Sequence, residues 1–289
     1  MSYLTVENLT HVYGAGAPNS KVAINNISFI VNKGETVGII GHTGSGKSTL
    51  VNHLNGLIKP TSGRILLDGE DIWAKPKEIK KIRSRVGLVF QYPEYQLFEE
   101  TVYKDIVYGL TNLGVTGEEL DASVREIAGL MHISDEVLMK SPFDLSGGQK
   151  RRVAIAGVLA MRPEIIVFDE PTAGLDPTGR ATIFEAIADY KNKYGATVII
   201  VSHSMEDIAA MTDKVLVLNG GEVAIFDDTR KVFSNADSLR ELGLGVPMIT
   251  DVFDIIKRKV PGLQAVPLTT NEGIEAIISY LNKGGNANA

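Results

Sequence analysis

Two short strings in the chain bring together residue types that hold phosphate. The first, Gly41-His42-Thr43-Gly44-Ser45-Gly46-Lys47-Ser48, satisfies the pattern G-x-x-x-x-G-K-[ST]. It lies between an apolar run, Thr36 to Ile40, and a helix-like segment beginning with Thr49-Leu50-Val51. Its glycines let the backbone turn tightly enough for successive N–H groups to face phosphate oxygens, with the positive end of a helix behind them. Lys47 is placed to reach the β- and γ-phosphates of a nucleotide, and Ser48 to put its hydroxyl on Mg²⁺; Thr49 continues the same phosphate-binding turn. The second string is Leu145-Ser146-Gly147-Gly148-Gln149. A serine followed by two glycines at a helix start offers a hydroxyl and bare N–H groups, which make a second anion site or a plain N-cap on a flexible turn. Two phosphate-binding elements serve two ligands, or one ligand shared between chains, and the residues alone leave both open.

Phosphoryl transfer from ATP to water needs a clamp, a metal, a positioned water and a way to neutralise developing charge. Asp169 follows the apolar run Glu164 to Phe168 and suits the shell of Mg²⁺, a hard cation that prefers oxygen ligands and keeps much of its water. Glu170 beside it can orient and polarise an attacking water. An Asp-Glu pair after a strand can merely open a turn; in company with the cradle it reads as catalytic. His203, at the end of another apolar run, is a candidate γ-phosphate ligand on the same ground. Tyr13 either stacks on adenine or packs into the core as an ordinary strand aromatic.

The elements that must position these residues follow from spacing. Residues 3 to 31 alternate as short strands around the loop Gly14 to Pro18, and Gly63 to Gly69 reads as a further strand ending in a turn. Val86 to Phe90 is a compact strand that delivers Gln91. Helical spacing runs over Thr101 to Leu113, Glu118 to Met131, and Lys150 to Met161, as a subdomain inserted between strands. Strand 164–168, helix Thr178 to Tyr194, strand Ala196 to Val201 and a helix capped by Ser204, with Asp207 as its box partner, complete an alternation. That alternation points to an α/β fold with a mostly parallel sheet, helices on both sides and nucleotide at the carboxyl ends of the strands. Val215 to Phe226 reads as a hairpin around Asn219-Gly220. A boundary is placed near Asp228, followed by helix candidates at Val246 to Lys259 and Gly273 to Leu281, interruptions at Pro261 and Pro267, and a frayed tail from Asn282 to Ala289.

Composition narrows the class. Asp plus Glu (35) exceed Lys plus Arg (29), for a net charge of -6, so nothing broad attracts nucleic acid and no nucleic-acid partner is expected. The absence of cysteine excludes disulfides and thiolate chemistry. The opening residues do not read as a signal peptide, and no apolar run nears the roughly 18 residues that span a bilayer. A cytoplasmic protein is expected, with any membrane role arriving through a partner.

Cradle, Gln91, Leu145 to Gln149, Asp169-Glu170, Ala173-Gly174-Leu175-Asp176 and His203, in that order, resemble an ABC-type ATPase over residues 3–228. The resemblance implies a P-loop core with an N-terminal antiparallel β subdomain, a helical subdomain over about 92–160, and a small α-rich extension over 229–289. It also implies a head-to-tail pair of chains, with ATP held between the cradle of one and Ser146-Gly147-Gly148-Gln149 of the other. Gln91 would then sense Mg²⁺ and water, and Asp176 would take part in communication across the pair. Ala173 departs from the family's frequent serine; with Glu170 and His203 both present, the resemblance still implies hydrolysis. The strings Phe90 to Phe98, Gln149 to Gly157 and Gly245 to Thr250 are similar to the ATPases of energy-coupling factor transporters. The run Lys150-Arg151-Arg152 suggests the second of two nonidentical ATPases. On that resemblance Tyr92, Tyr95 and Phe98 form a groove for a transmembrane coupling subunit, or pack their own subdomain. A membrane substrate-binding subunit is engaged indirectly, for uptake of vitamins or other micronutrients at the cytoplasmic face. The rivals are a homodimeric metal-importer ATPase of the same group and a soluble non-transport ABC ATPase.

Overall fold

The computed structural model describes residues 2–260 and 262–285. Along the chain, β1 (Ser2–Tyr13), β2 (Lys21–Asn32) and β3 (Thr36–Gly41) precede helix α1 (Lys47–Leu54), and β4 (Ser62–Leu67) and β5 (Glu70–Asp71) follow it. Next come α2 (Ile79–Arg85), β6 (Val86–Val89), and the helices α3 (Val102–Asn112), α4 (Gly117–Leu130), α5 (Asp135–Leu138) and α6 (Gly147–Leu159). The chain then runs through β7 (Ile165–Asp169), α7 (Pro177–Tyr194), β8 (Thr197–Val201), α8 (Met205–Met211), β9 (Lys214–Asn219) and β10 (Glu222–Asp228). Four helices close it: α9 (Thr229–Ser234), α10 (Ala236–Glu241), α11 (Met248–Lys259) and α12 (Thr270–Gly285).

Six strands form the central sheet in the order β10-β9-β3-β8-β7-β6, parallel throughout except for the terminal β10–β9 hairpin. Its inner strands are apolar without alternation because both faces are covered. Successive residues of β7 show this: Ile165 and Val167 face the core shared with α1 and the antiparallel sheet β2-β1-β4-β5, whereas Ile166 and Phe168 join the core under α3 to α9. Parallel neighbours need a crossover, and that between β6 and β7 carries the whole set α3 to α6. Thr101 caps α3 by accepting from Lys104 N–H at 3.2 Å, and Val102, Ile106 and Leu110 form its buried stripe.

Several boundaries differ from those read off the sequence. The early strands are two long ones rather than several short ones. α6 begins at Gly147, so the two glycines of the second string lie inside the first helical turn. The hairpin turn is centred on Gly220-Gly221, with Asn219 paired to Glu222. Ser204 does cap α8, accepting from Asp207 N–H at 3.2 Å, but the Asp207 carboxylate does not complete the box; it is held by Arg180 and Thr172. Helices α2, α5, α9 and α10 are additions to the sequence reading. α12 continues through Gly285, past the expected fraying point at Asn282; residues 286–289 and Pro261 lie outside the described residues.

Candidate nucleotide site

β3 is buried along its whole length and ends at Gly41, where the cradle turns into α1. The turn is pressed against neighbouring backbone. A Cβ on Gly41 would lie 2.3 Å from the Leu218 carbonyl oxygen, and one on Gly46 would lie 2.8 Å from that of Ala23. Gly46 also has φ 102° as the residue preceding α1, so both the space and the conformation exclude a side chain. No acidic residue occupies the first turn of α1, which leaves its N–H groups and dipole free for an anion. Lys47 is buried and donates to the carbonyls of Gly41 (2.5 Å) and His42 (2.8 Å). Burial pulls its ammonium below the usual lysine range, against the opposing pull of Glu170 and Asp169. Ser45 Oγ is buried with no hydrogen-bond partner, an orphan in the middle of the loop.

β7 and β8 end beside the cradle because they are β3's near neighbours in the sheet. Asp169 closes β7, and burial raises its carboxyl above the usual range while the Lys47 ammonium opposes. Glu170 follows in a left-handed conformation at φ 55°, a costly backbone state for a non-glycine residue, with its N–H fixed on the Val201 carbonyl at 3.0 Å. Burial first, then the neighbouring Asp169 charge, pushes the Glu170 carboxyl up to about 7. Its Oε1 is buried without a hydrogen bond, and His203 Nε2 stands 3.7 Å from it. Burial and then the Lys47 charge lower the His203 pKa, so the imidazole is neutral at neutral pH. A carboxyl that gains and loses its proton near neutrality, beside a neutral imidazole and a buried ammonium, is suited to moving a proton next to a phosphate.

Gln91, Tyr13, Thr49 and these groups line one open cleft of about 440 Å³. Tyr13 is 44% exposed, so it is not a core residue; its ring packs edge-on against His11 and its hydroxyl lies 3.4 Å from Thr49 Oγ1. Lys21, Val22 and Ala23 at the start of β2 complete the wall, and nothing in their spacing marks them in the sequence. Oxygen donors from Ser48, Asp169 and Gln91 share the cleft with Glu170, whose Oε1 is orphaned, a donor set compatible with a hard divalent cation and phosphate oxygens.

Ser146, Gly148, Gln149 and Asp176 lie elsewhere, in a second cleft of about 610 Å³ whose lining shares no residue with the first. Ser146 caps α6 in a full capping box: its Oγ accepts from Gln149 N–H at 3.3 Å, and Gln149 Oε1 accepts from Ser146 N–H at 3.0 Å. Asp176 caps α7 by accepting from Gly179 N–H at 2.7 Å. The three basic residues of α6 diverge. Lys150 lies over the Phe143 ring and Arg152 donates to the His132 carbonyl. Arg151 is buried, grips Glu94 with two nitrogens at 2.6 and 3.0 Å, and donates to the carbonyls of Pro171 and Ala173. It therefore ties the segment after Gln91 to the loop after Glu170. Asp207 does similar work beside His203, joining Arg180 to Thr172. Neither tie has a local sequence signal, because each partner comes from a different element. Tyr92, Tyr95 and Phe98 are exposed, at 43%, 85% and 58%, while the Phe98 ring meets Tyr108 of α3 edge-on and Arg151 of α6 lies over Tyr92.

The ABC transporter family profile matches residues 24–173. The energy-coupling factor transporter ATP-binding protein EcfA2 of Caldanaerobacter subterraneus subsp. tengcongensis is 52% identical over 279 residues, covering 96% of this chain and 97% of the relative. Its counterpart in Acetivibrio thermocellus is 50% identical over 280 residues, covering 97% and 99%. Among solved structures, cbiO1 from Clostridium perfringens, part of the ABC transporter complex cbiONQ, superposes with a TM-score of 0.76 at 34% identity, over 90% of this chain and all of that one. The ATP-binding cassette MJ0796, a dimer in a post-hydrolysis state bound to ADP and Pi, superposes with a TM-score of 0.71 at 31% identity, over 78% and 99%.

Proposed function

Since the chain belongs to the ABC transporter family and, within it, to the energy-coupling factor ATP-binding proteins, we propose that it is the ATP-hydrolysing motor subunit of a micronutrient importer. The observation that supports this best is the division of phosphate-binding groups between two clefts of one chain. The cradle cleft holds Lys47, Glu170 and His203, the second holds Ser146 and Asp176, and a head-to-tail pair would place one against the other.

On this reading the cradle N–H groups and Lys47 hold the β- and γ-phosphates, Tyr13 stacks on adenine, and His203 donates to a γ-phosphate oxygen. Ser48, Asp169 and Gln91 would hold Mg²⁺, directly or through water, and the ion when bound would offset negative charge on the phosphates. Glu170 accepts the proton of the attacking water; with its pKa near 7 it is matched to that work at neutral pH. Ser146 and the N–H groups of Gly147 and Gly148 face the γ-phosphate of a partner's ATP. Binding therefore favours the closed pair, and loss of the γ-phosphate releases it. Residues 1–228 act as the ATPase unit and 229–289 as an extension that aids pairing. Tyr92 to Phe98 receives the transmembrane coupling subunit; among the described residues no helix is long and apolar enough to cross a membrane, so the chain would sit peripherally on its cytoplasmic face. The second ATPase is a nonidentical chain.

Affinity purification of the full-length chain from solubilised membranes tests the assignment. Recovery of a different ATPase and integral membrane chains is expected, with the latter lost on Tyr95→Ser plus Phe98→Ser. Recovery of the chain as a homodimer without membrane proteins would refute it.

A further inference from the structure

The cradle is tied to the C-terminal helices by contacts that phosphate binding and hydrolysis do not require. His42 is the second residue of the cradle, and its carbonyl accepts from Lys47 Nζ at 2.8 Å and from Ser45 N–H at 3.1 Å. Its main chain thus belongs to the loop's fixed geometry. Its side chain reaches outward: Nε2 is hydrogen-bonded to the carbonyl of Leu242, 200 residues along the chain. A carbonyl only accepts, so the ring carries its proton on Nε2. Gly243 follows at φ +67°, and a Cβ on it would lie 3.0 Å from His42 Cε1 and 3.3 Å from Nε2. The missing side chain is what lets the imidazole lie against this backbone.

The far side of the contact is anchored. Leu239 and Leu244 are buried in the larger core, and the turn between them is closed by Leu244 N–H on the Leu239 carbonyl at 2.8 Å. A second tie is independent of the first: the N–H of Met248, at the start of α11, donates to Glu206 Oε1 at 3.2 Å. Glu206 lies in the first turn of α8, just after His203. Residues 242–248 therefore touch the cradle on one side and the turn after His203 on the other.

We infer that His42 is a positioning residue, a latch through which nucleotide in the cradle and the helices α10 to α12 bias each other's arrangement. The inference rests on ATP occupying the cradle. Lys47 spends two of its three N–H donors on the carbonyls of Gly41 and His42, which leaves the third for phosphate and makes the His42 peptide part of the lysine's seat. That peptide is held in turn by Ser45 N–H and, through its side chain, by the imidazole tie to Leu242. The docked extension thus favours the ATP-competent loop, and by linkage ATP favours the docked extension by the same factor.

The test uses the full-length chain, with ATP affinity measured by displacement of a fluorescent nucleotide and amide hydrogen exchange followed over residues 236–259. In the unmodified chain ATP is expected to slow exchange at residues 242–248. His42→Ala should weaken ATP binding about fivefold, equivalent to about 1 kcal/mol, and abolish that ATP-dependent protection. His42→Gln, whose amide can donate to Leu242, should restore most of both. Gly243→Ala, which drives a methyl into the ring, should weaken ATP alone but add little to His42→Ala. Additive losses, or protection at 242–248 that still responds to ATP in His42→Ala, would overturn the latch. Failure of the unmodified chain to bind ATP would overturn the nucleotide reading, and the latch with it.

Discussion

Replacing Glu170 by Gln should make the nucleotide-free chain more stable while stopping turnover. Burial and the Asp169 charge raise the folded-state pKa of Glu170 from 4.5 to about 7, and its side chain is only 12% exposed, so solvent screens little of the effect. A raised carboxyl pKa means that the folded state binds the proton more tightly than the unfolded state. The ionised group therefore costs stability above pH 4.5, and the cost reaches its full value above pH 7. At about 1.4 kcal/mol per pKa unit it is on the order of 3 kcal/mol at pH 8 and about 1 kcal/mol at pH 5. Gln keeps the shape without the charge and removes that cost. For a chain of this length the gain corresponds to a rise in Tm of about 5 °C at pH 8 and roughly 2 °C at pH 5. Thermal unfolding without nucleotide or Mg²⁺, at both pH values, reads the difference directly. The same variant should bind ATP and lose at least about a hundredfold in steady-state hydrolysis, the share of a general base. A Tm gain equal at the two pH values, or no gain, would refute the electrostatic argument; normal hydrolysis would remove Glu170 from its role.

Gly46→Ala would place a methyl 2.8 Å from the Ala23 carbonyl oxygen in a left-handed backbone. ATP affinity by calorimetry should fall at least about tenfold, since left-handed strain alone costs about 1–2 kcal/mol before the clash is counted. Tyr13→Ala should weaken ATP by about tenfold, the scale of one lost base–aromatic stack, whereas Tyr13→Phe should bind nearly normally. Equal losses in both Tyr13 variants would point to the hydroxyl near Thr49 instead of the ring.

How much of this was legible in the sequence depends on how local each feature is. The cradle was readable because its glycines are dictated by backbone contacts at fixed spacing, and β7 because a strand covered on both faces must be apolar throughout. Capping by Ser146 was readable for the same reason, although its hydroxyl is engaged within the helix start. Tyr13 allows two readings from its position, and its exposure removes only the core one. Spacing alone gives the Asp207 carboxylate to a local capping box, but Arg180 of α7 and Thr172 of the loop after β7 compete more strongly for it. Arg151, a member of an unremarkable basic run, is buried because Glu94 and two carbonyls converge on it from separate elements. The His42–Leu242 contact joins residues 200 positions apart and has no local trace. Short helices such as α9 and α10 lack the length that gives periodicity its force and are held by Phe233 and Leu239 in the core.

The central claim is that the second cleft of this chain acts on ATP held by another. Ser146→Ala removes the hydroxyl at the cost of one helix cap, about 1 kcal/mol, too little to unfold a domain of this size. In the reconstituted ATPase pair, nucleotide can be trapped and cross-linked during turnover, and the label assigned to each chain by mass. Ser146→Ala in this chain should lower trapping in the partner's cradle and leave this chain's own cradle loaded. Loss confined to this chain's own cradle would contradict the composite site.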